Sequence, residues 1–128
     1  MTDTSTEITN PKFRMWLRPD GIVQLVWEPH VEIGLEDAIA STGALTGLVG
    51  GRRHPLLVDV HAAGPVDRRA RMEWVRRSDL VAGVAVIVTT SLGRMSGNIF
   101  LALSKPTPPT RLFADEASAV AWLIDFAP

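Results

Sequence analysis

Leu56-Leu57-Val58-Asp59-Val60, apolar but for its one charge at Asp59, and Val84-Ala85-Val86-Ile87-Val88-Thr89, uninterrupted and β-branched, are runs of strand length. Between them lies Arg68 to Asp79, a polar segment with Ala70, Trp74 and Val75 on one side. A short, continuous, β-branched run is the mark of a strand covered on both faces, as in a parallel sheet. The connection is too long for a hairpin and long enough for a helical crossover, so the two runs read as neighbouring parallel strands with a helix packed on them. Gly64-Pro65 breaks the chain after the first strand, and Asp67 stands where an N-cap is needed.

Working outward, Leu35, Ala38, Ile39, Thr42, Leu45 and Val49 recur at spacings of three and four between Gly34 and Gly51, which predicts a first helix with Glu36 and Asp37 in its first turn. Gly43 and Gly47 lie one turn apart inside it; each lowers helix propensity, so close approach to a sheet or a partner is expected there. Arg14 to Arg18 and Ile22 to Glu28 flank Pro19-Asp20-Gly21 and predict a hairpin, while residues 1–10 are expected to form a flexible tail. Downstream, Ser91 to Leu103 predicts a helix with Met95, Ile99 and Leu103 on one face, followed by a proline-stiffened linker. Arg111 to Ala114 is a strand, and Asp115 caps a last helix with Ala117, Val120, Ala121 and Ile124 inward and Trp122 and Leu123 at its flank. The expected fold class is α/β: an N-terminal β-hairpin joined to a mainly parallel four- to five-stranded sheet with about four helices, in one domain over 11–128. In such sheets a site lies outside the carboxyl ends of the strands, here the turns after Val60, Thr89 and Phe113.

The composition agrees with one soluble domain. The chain has 128 residues, 46% hydrophobic and 21% charged, with a formal net charge of -1. That balance gives no general attraction to nucleic acid or an anionic membrane. No cysteine is present, which excludes disulfides, thiolate catalysis and cysteine-held metals and fits a reducing cytoplasm. Met1 to Asn10 has neither a basic start nor an apolar block, and the longest apolar run, Leu80 to Val88, is far short of the ~20 residues of a spanning helix. A cytoplasmic protein is expected. All basic residues except Lys12 and Lys105 are arginines, a bias that a GC-rich coding sequence explains.

The stretch Leu57 to Asp67, a strand carrying Asp59 that leads through a short loop to an Asp at a helix start, resembles the STAS domain of anti-sigma-factor antagonists. Arg94 to Leu103, with Pro109 to Ala117 and Trp122-Leu123, looks like a small bacterial branch of STAS-like proteins of unassigned function. The resemblance implies the same α/β fold. In the antagonists a phosphorylatable serine follows the loop aspartate at a helix N-terminus, where added charge is sensed by free N–H groups. This chain has Asp67-Arg68-Arg69, so that switch does not carry over. Asp67 is read as a helix cap, with imitation of a phosphorylated state as the alternative.

Few groups converge for catalysis. Of the histidines His30, His54 and His61, His61 alone sits at a strand's carboxyl end, and Ser91 and Ser96 lack the Gly-x-Ser-x-Gly elbow that exposes a nucleophile. No His-Glu-x-x-His, calcium loop or Gly-Lys-Ser/Thr motif occurs, and no cofactor is expected. The arginines of the second helix read first as a solvated face, neutralised in part by Glu73; the sharper alternative is an anion site. The leading expectation is a non-catalytic protein-interaction or regulatory module, with another protein or a second copy as partner, possible as a homodimer. The alternative is a small anionic ligand or nucleotide held at the strand carboxyl ends by His61, Asp67, Arg68, Arg94 and Asn98. Lipid binding ranks last, because a chain of this length is expected to leave little room for an acyl cavity.

Overall fold

The computed structural model describes residues 7–60, 64–104 and 106–128. Among these the sheet has six strands in sequence order: β1 (Ile8–Thr9), β2 (Phe13–Leu17), β3 (Val23–Trp27), β4 (Leu56–Asp59), β5 (Val84–Ile87) and β6 (Thr110–Phe113). The hairpin β2–β3 is antiparallel, as its Pro-Asp-Gly turn requires, with Gly21 at φ 89°. From β3 onward every pairing is parallel. The sheet extends one strand beyond the hairpin on the N-terminal side. Ile8 and Thr9, inside the expected tail, pair with Met15 and Arg14, and the Asn10 side chain accepts hydrogen bonds from the N–H groups of Lys12 and Phe13 to turn the chain.

Four α-helices occur among the described residues: α1 (Leu35–Val49), α2 (Arg68–Arg76), α3 (Ser91–Ser104) and α4 (Glu116–Leu123). Side-chain alternation along the strands gives two layers. On one face Phe13, Met15, Val23, Leu25 and Trp27 form a core with Ala38, Leu45 and Val49 of α1 and Ala70 of α2. Phe13 and Trp27 meet edge to face at 5.1 Å, and Trp27 packs at 5.9 Å on Trp74. On the other face Ile22, Leu57, Ala85 and Ile87 are covered by Ala119 and Leu123 of α4.

The helices differ from the expected phases in three places. On α1, Ile39 is 50% exposed and Ser41 is buried, its hydroxyl accepting the Trp74 indole N–H at 3.1 Å. Gly43 and Gly47 face solvent, and among the described residues a Cβ at either would meet nothing within 4 Å, so no close approach there accounts for them. On α3, Met95 is 59% exposed rather than inward; the side chains of Ile99 and Leu103 lie outside the described set. On α4, Ala119 and Leu123 are the fully buried pair, while Ala117 and Ala121, with Ile124 just past the helix end, are exposed. That helix is apolar on nearly every side, so spacing alone does not choose its inner face. Asp115 caps it as expected, accepting the Ser118 N–H at 2.8 Å.

Candidate functional site

The parallel register lines up residues of one parity across the sheet. Leu25, Val58, Val86 and Leu112 form one row, and Leu56, Val84 and Thr110 the next. These rows are the floor of a cavity of about 1020 Å³ that opens between the sheet and the helices. Its walls are Trp74, Met72 and Val75 of α2, Leu45 of α1, and Gly93, Gly97 and Leu101 of α3. Small-molecule sites run from about 300 to 1,000 Å³ with mainly apolar walls and few polar groups. The volume sits at the top of that range.

The space follows from side-chain size. Three valines of β5 and its carboxyl end, Val84, Val86 and Val88, project into the gap, and valine reaches only one carbon past Cβ. Opposite them α3 presents glycines: a Cβ on Gly97 would come within 2.8 Å of Leu112, so the helix lies close at that point without filling the space beyond it. The expected shortage of room in a chain of this length therefore does not hold. Short residues on floor and wall hold a gap open.

Along the strand direction the cavity has two ends. At the carboxyl end lie Val60, Val88, Thr89, Thr90, Gly64 and Arg68; at the amino end lie Val81, Ser78, Arg77 and Pro106. While residues 61–63 of the first turn lie outside the described residues, Val60 and Thr89, which precede two of the turns expected to carry the site, are both here. The turn after Phe113 is not, because Phe113 points to the α4 face, where it packs 5.7 Å from Trp122 under the Arg111 guanidinium.

The predicted site residues separate. Arg68 lines the cavity. Asp67 is the N-cap residue of α2, but its side chain makes no capping bond. It accepts instead from Arg69 Nε at 3.2 Å, and it is exposed. Arg94 and Asn98 are exposed on α3 and are not part of the cavity lining. His61 lies outside the described residues. The neighbouring histidine considered for chemistry, His54, is buried, with Nδ1 at 2.8 Å from the Gly21 carbonyl, and ties the hairpin turn to the start of β4. Glu73 is 9% exposed and is held bidentately by Arg76. Among the described residues no three His, Asp or Glu side chains gather as a metal site, and no helix is long and apolar enough to cross a membrane.

Sequence reasoning missed the residues that form the cavity, because each is individually an ordinary core type. The signal was present in combination: valine at 58, 60, 84, 86 and 88 on one parity, facing a helix with glycine at 93 and 97.

The fold has a solved counterpart. An uncharacterised protein of the DUF3478 family from Shewanella loihica PV-4, with a SpoIIAA-like fold, superposes at a TM-score of 0.65 and 15% identity, covering 91% of this chain and 98% of its own. The architecture is thus SpoIIAA-like, in keeping with the STAS resemblance. A protein of unknown function from Arthrobacter sp. FB24 is 26% identical over 85% of this chain and 96% of its own, at a TM-score of 0.35. Among curated proteins no match is found. The family model of a domain of unknown function, DUF7793, matches residues 15–127, and the chain belongs to that family.

Proposed function

We propose that this domain is a non-catalytic binding module that takes a largely apolar small molecule into the cavity between the sheet and α1, α2 and α3. The observation that carries the reading is the cavity itself, about 1020 Å³ lined chiefly by Val, Leu, Met and Trp side chains. Of the histidines and serines considered for catalysis, His54 is engaged with a backbone carbonyl and Ser91 is exposed at the start of α3, while His61 and the Ser96 side chain lie outside the described residues.

N-phenyl-1-naphthylamine, a neutral probe that brightens in apolar surroundings, tests this directly. The wild type binds it saturably at one site, and Val86→Phe, which puts an aromatic ring on the cavity floor, loses the signal while keeping the wild-type circular dichroism. Equal uptake by both proteins, or none by the wild type, removes the reading.

A second reading, a regulatory module that docks on another protein or a second copy, draws on Ile39, Met72, Met95 and Ile124, large apolar side chains from 42% to 59% exposed. Met72 and Met95 stand on two of the helices that bound the cavity, so occupancy and docking are compatible in one molecule. A chain that stays monomeric in light scattering and captures nothing from native lysate speaks against docking.

A further inference from the structure

We propose that the ligand is an anionic amphiphile, with an acidic head group held at the carboxyl end of the strands by Arg68 and the first turn of α2 and an alkyl chain laid along the valine floor. This deepens the binding reading above and depends on it.

Among the described residues the charged ones that line the cavity are arginines, Arg68, Arg71 and Arg77, with no aspartate or glutamate beside them in the lining. An apolar cavity with guanidinium groups at its rim suits a ligand whose polar group is negative, since a guanidinium pairs bidentately with a carboxylate and the exposed Arg68 does so without the cost of burying the pair. The three arginines are not equivalent. Arg71 spends one donor on the Val66 carbonyl, which pins its guanidinium beside the chain entering α2. Arg77 follows the C-terminal end of α2, where the helix dipole is negative, and Asp79 lies two residues on. Arg68 begins the helix, at the positive end of the dipole.

At that end the usual occupant is missing. A capping carboxylate would satisfy the first N–H groups, but Asp67 turns to Arg69 and makes no capping bond. Among the described residues no carboxylate pairs with the Arg68 guanidinium. Arg68, exposed at the first turn of α2, lines the cavity together with Gly64 and Thr90 of its carboxyl end. The head group thus has one favoured end, and the apolar chain runs from it toward Val84 and Leu56.

The test displaces N-phenyl-1-naphthylamine from the full chain with dodecanoate and with dodecan-1-ol, which share a chain and differ in head-group charge. In the wild type dodecanoate displaces the probe about tenfold more tightly than the alcohol, and added salt narrows the difference. Arg68→Gln weakens dodecanoate by about tenfold and leaves the alcohol and the probe unchanged, whereas Arg77→Gln leaves all three near wild type. Equal affinity for the two ligands in the wild type overturns the proposal, as does loss of carboxylate preference in Arg77→Gln rather than Arg68→Gln. If the probe binds and the carboxylate has no advantage, the cavity reading survives and the head-group assignment fails. If the probe does not bind, both fall.

Discussion

Asp37 shows how much one carboxylate holds at the start of α1. Its Oδ2 accepts the Gly34 N–H at 2.9 Å and lies 2.9 Å from Lys12 Nζ, joining the loop before β2 to the helix start. Burial alone raises its pKa; the Gly34 N–H and the Lys12 ammonium outweigh burial and hold it below the ordinary value. Because the folded pKa is the lower one, the native state binds fewer protons than the unfolded chain. The stabilisation is full above the unfolded value of about 3.9 and drains away as the pH falls through the lower folded value. Asp37→Asn is expected to cost about 1 kcal/mol at neutral pH, with the gap from wild type closing in strong acid; urea melts across pH measure it. Residue by residue, the sequence was readable where a side chain acts on its own neighbourhood. Asp115 three residues before Ser118 is such a case. Asp67 is the contrary case: the position was right, but an arginine two residues on drew the carboxylate away.

At the level of elements, positions and order of helices and strands were legible, and inner faces were less so. Periodicity marks a face sharply only when polar residues occupy the opposite side. On α2 they do, and Ala70 is buried as expected, although Glu73 is buried with it through its pairing with Arg76. On α4 and α1 small and apolar residues run around the helix, and the sheet decides which of them go inside. The two glycines of α1 are the informative case. Their exposed setting leaves the conformational cost of glycine uncompensated by any contact among the described residues. Gly43→Ala and Gly47→Ala should therefore each raise stability by roughly 0.5–1 kcal/mol, read from thermal or denaturant melts. A fall in stability at either position would show that the helix needs glycine for a reason other than space.

For the molecule as a whole, the parallel sheet followed from two apolar runs and the length of chain between them, while the cavity did not follow from any run. Volume left over between layers is a difference between what the backbone spacing offers and what side chains fill, and it depends on residues far apart in the chain meeting across a gap. Val58, Val86 and Leu112 become one row only when the register is known. The same unfilled space bears on stability: Val86→Phe, besides blocking the probe, should leave the melting temperature at or above wild type, because a ring entering a void gains contacts instead of displacing neighbours. A lower melting temperature would show that the floor valines are tightly packed and the space is not available to a ring.

The strand order has a consequence for how the chain is made. Each strand lies beside the one that precedes it in sequence, from β1 to β6. As the polypeptide leaves the ribosome, the partner of every new strand is already outside, so the sheet can grow by addition at one edge without waiting for a distant segment or inserting between strands already joined. The growing edge is a hydrogen-bonding template at each stage, and until β6 is added that edge is β5. A nascent chain stalled after β5 would present that template, with Ala85 and Ile87 still lacking α4, and those stalled chains are where aggregation during synthesis should begin.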